Sequence, residues 1–398
     1  MGADVVDRPP AGTHAAPLAA DGETYRGIYP VRGIAACLVV VFHTMHVGGR
    51  TDFPAGGIWR LFDYGWLGVN LFLVISGLVI TLSLFRHMER DPLDYRWPFM
   101  VARLARIVPL YLLTGVVFLV VVQPAWLHGP PVELVKHVGS HLAFVHNLHH
   151  HTHGSINGPN WSIALEMQFY VLVVLIAPWL ALRRRTLLLA GALLVAVLFR
   201  YAAAIAVPPG AVTTQFIYAT QLPGVIDHFA LGMALAFALH PPHRSTWLQQ
   251  GWRSFWAAGA AAVLLLGLVA LLLGNFRYWE NNAMLTFTPG LAAAGFAALL
   301  AAAIAFPLAL RTRFGPLSYL GEISYGLYLW HLPIILFLLA TAPQLKGMAL
   351  LATVLGITLL CASLSWHVVE KPLNRIFRRL GPQGARRSPA QLASTQFQ

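Results

Sequence analysis

The sequence predicts an all-α fold, a polytopic membrane protein with about ten transmembrane helices. Of its 398 residues, 57% are hydrophobic and only 11% are charged, whereas a soluble domain carries about 25% charged residues. The mean hydropathy is +0.64. The apolar residues occur in runs of about 20, the length that crosses a bilayer core of roughly 30 Å. This pattern excludes a set of soluble globular domains, a disordered chain and a coiled coil.

Ten apolar runs and the polar segments around them predict the domain organisation. Residues 1–25 are polar and lack the features of a signal peptide, which predicts a disordered cytosolic tail. Residues 26–376 form the expected transmembrane domain, and 377–398 a basic, disordered cytosolic tail. Segment 124–160 is the one long connection. The expected spans are 28–47, 66–85, 104–123, 162–182, 186–207, 217–239, 254–274, 288–310, 323–340 and 347–369.

The distribution of basic residues predicts which way the chain crosses the membrane. With the N-terminus in the cytosol, 20 of the 27 Lys and Arg residues lie on the cytosolic side, 5 lie outside and 2 fall within spans. Lys and Arg concentrate in the cytosolic loops of membrane proteins. Both termini are therefore expected in the cytosol. The formal net charge of +12 follows from this bias, and a nucleic-acid partner is not expected.

The first span carries two ionisable residues on one face. Arg32 lies near its expected cytosolic end and His43 toward its outer end. Eleven residues of helix make three turns plus about 20° and rise about 16 Å, so the two side chains point the same way. This pair would suit a long anionic ligand lying along the helix. The structural alternative is an arginine that reaches the lipid head groups and a hydrogen-bonded core histidine.

The next two spans contribute small and basic residues. Ser76 and Gly77 lie near the middle of the second span, where small residues usually allow close helix packing; a nucleophilic serine is the alternative. Arg103 and Arg106 stand three residues apart at the expected cytosolic margin of the third span. Two guanidiniums in this position could bind phosphates, although anchoring charges also occur there.

The fourth span begins with a polar stripe. Ser162, Glu166 and Tyr170 follow one another at intervals of four residues, on one side of the helix. Because this span runs inward from the outer surface, Glu166 is expected at about the depth of His43. A carboxylate beside an imidazole can fix its tautomer and raise its basicity, as general-base catalysis requires. A structural carboxylate bonded to a Trp or Tyr of a neighbouring helix is the alternative.

The ninth span carries a second polar stripe. Ser324, Tyr328 and His331 share one helix face at i, i+4 and i+7. Polar residues at lipid depth face the bundle interior or a cavity. These residues, together with the neighbouring Tyr325 and with Ser76 of the second span, are therefore expected to line the site.

Five further residues receive no functional role from the sequence. Asp227 and His228 are buried by position within the sixth span, and Glu370 ends the tenth span, where it could only cap or anchor the helix. Cys37 and Cys361 each lie within an apolar run. Neither a disulfide framework nor a CxxC metal site is possible with two cysteines so placed.

The outer loop 124–160 is rich in histidine, with eight in all. The run HNLHHHTHG has a spacing that could hold a metal, as the histidine clusters of membrane di-iron oxygenases do. Those enzymes need several clusters converging on the cytosolic side, whereas this chain has one dense cluster, which is expected outside. A polar, partly flexible loop with incidental metal affinity is the preferred interpretation, and no metal site is assigned.

Six segments form a set whose order is specific, although each is weak evidence alone. They are RGIAACLVVVFH, FLVISG, RLARIVPLYL, NWSIALEMQFY, GEISYGLYLWH and VVEKPLNR. Together they resemble acyltransferase family 3, the bacterial integral-membrane O-acyltransferases. The resemblance extends from about residue 26 to residue 376, which is almost the whole chain.

The resemblance implies acyl transfer from cytosolic acyl-coenzyme A to a hydroxyl presented at the outer face of the bacterial plasma (inner) membrane. Carried over by motif, His43 would be the catalytic histidine, Arg32, Arg103 and Arg106 would bind the donor, and Glu166 would belong to the outer site. No tightly bound cofactor is implied, since acyl-coenzyme A is a co-substrate.

Two features depart from the family pattern. Family members often carry an arginine shortly before the F-x-x-G of a middle span, but residues 212–232, which include FALG, contain none. The histidine-rich outer loop is the second departure. Both concern recognition of the acceptor more than the type of reaction.

The favoured hypothesis is an O-acetyltransferase acting on an envelope glycan, a lipid-linked sugar or an exported small molecule. Glu166 would orient His43, which would act as general base or as transient acyl carrier. A transporter or flippase with a relay through Arg32, His43, Glu166 and Asp227 is one alternative, although no internal repeat supports it. A metal-dependent membrane oxidase built on the outer loop is the other. The acceptor, the acyl chain length and the oligomeric state cannot be read from the sequence.

Overall fold

The computed structural model describes residues 27–180, 184–240, 250–275, 277–306 and 315–380. These residues contain no β-strand. Among them are ten helices that are long and apolar enough to cross a membrane, which confirms the predicted all-α fold. Numbered α1 to α10, they are Ile28–Val47, Leu67–Arg90, Arg96–Val117, Trp161–Leu180, Arg185–Ala206, Leu222–Leu239, Trp252–Leu273, Asn282–Ala305, Ser324–Thr341 and Gly347–Ser365.

Several of the predicted boundaries move in the structure, and three examples show why. Helix α3 begins at Arg96 rather than at 104 because basic residues there lower the hydropathy without interrupting the helix. The sixth predicted span divides into a short helix, Val212–Ala219, and α6, which starts next to Pro223. Helix α10 continues through a π-helical turn, Trp366–Glu370, into a basic helix, Lys371–Leu380.

The helix Lys371–Leu380 corrects the start of the predicted C-terminal tail. The first four residues of that tail, 377–380, are helical. The rest of that tail, the predicted N-terminal tail 1–25, and the ends of the predicted spans at 181–182 and 307–310 lie outside the described residues.

Helix α2 is the centre of the bundle. It contributes to the larger apolar cluster together with α3, α4, α6 and α9, and to a second cluster with α1, α6, α7 and α8. In the apolar, membrane-length stretch of α2, 72% of the residues are buried, whereas in that of α7 only 17% are buried. The apolar side chains that α7 leaves exposed therefore face the lipid, as expected for a peripheral helix in a bilayer.

Glycine allows α2 and α6 to cross in close contact. A Cβ atom on Gly77 would overlap the carbonyl oxygen of Phe229, and one on Gly232 would overlap that of Val74. The packing role predicted for the small residues of the second span is therefore seen at Gly77.

The outer connection is folded rather than extended. A helix, Pro131–Leu142, follows the 3₁₀ turn Pro124–His128, and two further 3₁₀ turns, His146–Leu148 and Gly158–Asn160, lead into α4. Four of its histidines, His137, His141, His146 and His153, are buried. The expectation of a partly flexible polar loop is thus corrected, because these side chains form a small core of their own.

Candidate active site

Helices α1 and α9 run parallel and join at both of the positions predicted on α1. Near the start of the two helices, Arg32 donates from Nη2 and Nε to Ser324 Oγ, at 3.1 and 3.3 Å. Further along, His43 Nδ1 lies 3.2 Å from His331 Nε2. The polar stripe of α9 therefore faces the Arg32–His43 face of α1, as the spacing within each helix predicts.

The hydrogen bonds of the two histidines determine their tautomers. His331 Nδ1 lies 3.3 Å from the Leu327 carbonyl oxygen, so this nitrogen carries a proton and His331 Nε2 is an acceptor. His43 Nδ1 lies 3.1 Å from the Val39 carbonyl oxygen and faces His331 Nε2, so it is the donor in both contacts. His43 Nε2 has no hydrogen-bond partner among the described residues, so its lone pair is available, the state that a general base or a nucleophile requires.

A narrow cavity of about 70 Å³ lies within the bundle, between Arg32 and Tyr328. It is bounded by α1, α2, α3, α4 and α9. Its polar lining is formed by Arg32, Ser76, Arg103, Arg106, Ser162, Glu166, Ser324, Tyr325 and Tyr328. All the residues predicted to line a site on these helices do so, apart from the two histidines, which lie beyond Tyr328.

The three arginines of the cavity have no direct ionic partner. None of their guanidinium nitrogens lies within 4.0 Å of a carboxylate oxygen among the described residues. Arg103 lies over the rings of Phe99 and Tyr170, at 5.4 and 5.9 Å, and its Nε has no hydrogen-bond partner. Guanidiniums held away from water without an anion favour binding of a phosphate or carboxylate.

Two carboxylates stand near these arginines. Glu166 accepts a hydrogen bond of 2.6 Å from Tyr170 and interacts electrostatically with Arg32 and Arg103. Glu370 is buried, with Oε1 unpartnered, and interacts electrostatically with Arg32 and Arg106. No role could be assigned to Glu370 from the sequence alone, because only the fold brings the turn that follows α10 near Arg32 and Arg106.

The expected pairing of Glu166 with His43 is not formed. The Glu166 carboxylate lies with the arginines, and the residue that contacts His43 Nδ1 is His331. Depth alone suggested the pairing, but the side of α4 that carries Glu166 faces the cavity. His331, which the sequence placed only in the lining, is therefore the residue that lies in position to orient His43.

Tyr328 separates the cavity from the histidine pair. Its ring lines the cavity and lies 5.8 Å, centroid to centroid, from that of His331. Its hydroxyl donates to the Pro159 carbonyl oxygen at 2.9 Å and is 2.7 Å from Ser162 Oγ. The cavity and the histidine pair are thus neighbours with one side chain between them.

A second buried polar cluster joins α2, α5, α6 and α8. Arg200 pairs with Asp227 at 2.8 Å and donates from Nε to the Thr286 carbonyl oxygen of α8, also at 2.8 Å. Asp227 also accepts from His228 Nδ1 at 2.7 Å. Asn70 Nδ2 donates to His228 Nε2 at 2.8 Å. An arginine of α5, outside residues 212–232, is thus paired with a carboxylate of α6.

This cluster also bears on the transporter hypothesis. The Asp227 carboxylate is satisfied within its own network, whereas Arg32, Glu166 and His43 bond elsewhere. The four residues of the proposed relay therefore do not form one chain of hydrogen bonds.

The histidines of the outer connection pack against each other rather than around a metal. The rings of His141 and His146 stack 3.8 Å apart. Burial lowers the pKa of His146 to about 3 and that of His153 to about 4, so both are neutral at physiological pH. Within the described part of the chain, no three His, Cys, Asp or Glu side chains are arranged to hold a metal ion.

The fold and the site define a multi-pass membrane protein with a buried, arginine-lined cavity next to a histidine pair. Residues 29–367 match the family of acyltransferase domains. The chain belongs to this family, acyltransferase 3, as the ordered motifs indicate. No solved structure matches the chain.

Curated relatives are similar over most of this chain. It is 26% identical over 329 residues to the putative peptidoglycan O-acetyltransferase YrhL of Bacillus subtilis, covering 78% of this chain and 50% of YrhL. It is 25% identical over 338 residues to the peptidoglycan O-acetyltransferase OatA of Listeria monocytogenes, covering 78% and 51%. The putative membrane-bound transacylase BcsY of Komagataeibacter xylinus is 28% identical over 368 residues, covering 87% and 82%. The chain spans about half the length of YrhL and of OatA.

Proposed function

We propose that this protein is a membrane O-acyltransferase that moves an acyl group, in the first instance acetyl, from cytosolic acyl-coenzyme A to a hydroxyl on the other side of the membrane. One observation carries the proposal. The same two parallel helices hold an arginine-lined cavity at one end and a histidine with an unpartnered Nε2 at the other. A phosphate-bearing donor needs the arginines, and a hydroxyl acceptor needs the histidine at the other end of the same helices.

The donor would occupy the cavity. Arg32, Arg103 and Arg106 would bind its phosphates, since guanidiniums form strong charge-assisted hydrogen bonds with phosphate oxygens. The pantetheine arm would follow the apolar wall of α2, and the thioester would reach His43 when Tyr328 moves aside. Glu166 and Glu370 would balance part of the arginine charge while no donor is bound.

His43 would act through Nε2. As general base it takes the proton of the acceptor hydroxyl while the hydroxyl oxygen attacks the thioester carbonyl carbon. The carbon–sulfur bond then breaks, and the leaving thiolate receives the proton from His43. A route in which Nε2 carries the acyl group for a time uses the same lone pair. In both routes His331 is a positioning residue that keeps the proton on His43 Nδ1.

The names of the relatives support an envelope glycan as acceptor, because two of them are named as peptidoglycan O-acetyltransferases. A lipid-linked sugar or an exported small molecule fits the same chemistry. The excess of basic residues on the Arg32 side supports a cytosolic donor end and location in the plasma (inner) membrane.

Incorporation of labelled acetyl groups from acetyl-coenzyme A into envelope material tests the proposal. Membranes with the wild-type chain should transfer label. His43→Ala should lower transfer about 10²–10⁴-fold, the usual contribution of a general base. His331→Ala should lose less, since the base remains and only its orientation is disturbed.

His46→Ala is the matched control. His46 lies on the same helix, one turn from His43, and is exposed, so its loss should leave transfer unchanged. Transfer that survives in His43→Ala at matched expression would reject the site. Failure of the wild-type chain with acetyl-coenzyme A and with longer acyl donors, in the presence of peptidoglycan, would reject the function.

A further inference from the structure

A groove on the outer connection, distinct from the cavity, has no role in the mechanism above. It shares no lining residue with the cavity, has a volume of about 610 Å³ and is open on one side. This volume lies within the range for ligand pockets, roughly 300–1,000 Å³. Six side chains form most of its wall, namely Trp126, Glu133, Lys136, His137, His150 and His151.

The wall of the groove combines an aromatic ring with groups of both charges. The Trp126 ring lies 4.6 Å from that of His137, at a steep angle. Glu133 Oε2 lies 3.7 Å from Lys136 Nζ and 3.7 Å from His137 Nε2. His137 is buried, and its Nδ1 has no hydrogen-bond partner. His150, in contrast, is exposed.

These groups suit a carbohydrate. Lys136 and Glu133 balance each other, so the groove lacks the clustered cations that a phosphate ligand needs. A metal ion is not indicated either, because no three ligating side chains converge in the described residues. A sugar ring presents hydroxyls that donate and accept, which carboxylate, ammonium and imidazole groups can match, and an apolar face that can lie on a tryptophan.

The groove is attached to the helix that carries His331. Its rim includes Gly154 and Ser155. Two residues after Ser155, Asn157 Nδ2 donates to the Leu329 carbonyl oxygen at 2.9 Å. The three residue steps from Gly154 to Asn157 span at most about 11 Å. A ligand in the groove is therefore held close to the histidine end of α9, opposite the arginine end of the cavity.

We infer that this groove binds the acceptor, a hydroxyl-rich pyranose segment of a glycan chain, and holds it beside the histidine pair. The inference rests on the proposed function, since it specifies the acceptor side of the same reaction. Trp126 provides the apolar surface for a sugar ring, and Glu133, Lys136, His137 and His150 bond its hydroxyls. Of the histidines in this segment, His141, His146 and His153 are buried away from the groove, whereas His137, His150 and His151 line it.

Gly154 offers a direct test. A Cβ on Gly154 meets nothing within 4 Å, so a large side chain can enter the groove without disturbing the fold. Gly154→Trp would fill the groove. Gly139→Trp is the matched control, because Gly139 is in the same connection, is equally unobstructed and does not line the groove. His150→Ala, an exposed substitution, is a second variant that removes one bonding group.

The measurement is isothermal titration calorimetry of the full-length protein in detergent. The probe is a tetrasaccharide of alternating β-1,4-linked N-acetylglucosamine and N-acetylmuramic acid, and no acyl donor is present. Gly154→Trp should weaken binding at least about tenfold, as a steric clash does. His150→Ala should weaken it by a smaller factor, and Gly139→Trp should match the wild type.

Two outcomes overturn the inference. Equal binding by the wild type, Gly154→Trp and His150→Ala would place the glycan elsewhere, and a wild-type protein that does not bind the tetrasaccharide would reject this ligand class for the groove. Because no donor is used, these outcomes are separate from failure of acyl transfer, which is measured with labelled acetyl-coenzyme A. Transfer can fail while binding persists, and binding at the groove can fail while transfer persists.

Discussion

The contact between His43 and His331 determines which nitrogen of His43 can take part in chemistry. Each Nδ1 faces a backbone carbonyl oxygen of its own helix, so each of the two rings carries its proton on Nδ1. His43 Nε2 is then left without a hydrogen-bond partner among the described residues. Oxygen atoms of carboxylates perform the same orienting task in many hydrolases. A neutral imidazole does so here without placing a charge in the middle of the bundle, where an unpaired charge is costly.

Spacing along one helix could be read from the sequence, but contacts between helices could not. The stripe of Ser324, Tyr328 and His331 and the shared face of Arg32 and His43 follow from the helical period. Which residue faces His43 depends on the rotation and depth of a helix almost 300 positions away in the chain. For the same reason Glu166 was assigned to His43 on depth alone.

Replacement of Glu166 by Gln separates its two possible roles. With Gln, the three arginines of the cavity keep Glu370 as their remaining counter-charge among the described residues, so the donor-free protein should lose about 1–2 kcal/mol, less than for a broken direct ion pair. Added coenzyme A should raise the melting temperature of Glu166→Gln by more than it raises that of the wild type. The negative phosphates of coenzyme A replace the lost carboxylate charge. Thermal unfolding in detergent, with and without coenzyme A, measures this difference.

Glu322→Gln is the control for this experiment, since Glu322 is exposed at the end of a short helix. It should change neither value. A Glu166→Gln protein with unaltered melting temperature but a shifted pH profile of acyl transfer would instead assign Glu166 to His43.

At the scale of helices, hydropathy predicted the number and order of the elements, and local chemistry moved their ends. The basic residues that begin α3 and extend α10 are tolerated because they lie at the ends of helices, where long side chains reach water. The Pro223 position explains why the sixth span divides, since proline is favoured in the first turn of a helix and disfavoured inside one. The folded outer connection was missed because its buried histidines resemble surface residues in composition.

Close packing of α2 and α6 makes Gly77 sensitive to the smallest substitution. Gly77→Ala would place a methyl group on the Phe229 carbonyl oxygen, and overpacking of this kind costs about 1–3 kcal/mol or more. The monodisperse fraction in size-exclusion chromatography should fall. Gly115→Ala in α3, where a Cβ meets nothing within 4 Å, should match or exceed the wild type, because alanine favours helix over glycine by about 1 kcal/mol. Equal behaviour of the two variants would contradict the crossing of α2 and α6 at this point.

At the scale of the whole molecule, the described residues place charged side chains inside the bundle in two separate groups. The arginines of the cavity have no carboxylate oxygen within 4.0 Å among these residues, whereas Arg200, Asp227, His228 and Asn70 form a network in which each bonds to the next. The first arrangement is suited to a charged ligand, and the second to fixing four helices against each other. In the sequence, both groups are simply charged residues within apolar spans. Only the fold distinguishes the charges that await a ligand from those that are paired with each other.

The proposed function requires that the arginine end of the cavity lie on the cytosolic side of the membrane. Cysteine labelling measures this orientation. With Cys37 and Cys361 replaced by alanine, a single cysteine is placed either at Leu93, between α2 and α3 and 96% exposed, or at Lys136, whose side chain is 46% exposed. A membrane-impermeant maleimide added to intact spheroplasts should label Lys136→Cys, and Leu93→Cys only after lysis. Leu93 lies at the end of the bundle that carries Arg103 and Arg106, so this pattern places the arginines on the side where acyl-coenzyme A is made. The reverse pattern would open the arginine cavity away from the cytosol, and acyl-coenzyme A could not then be the donor.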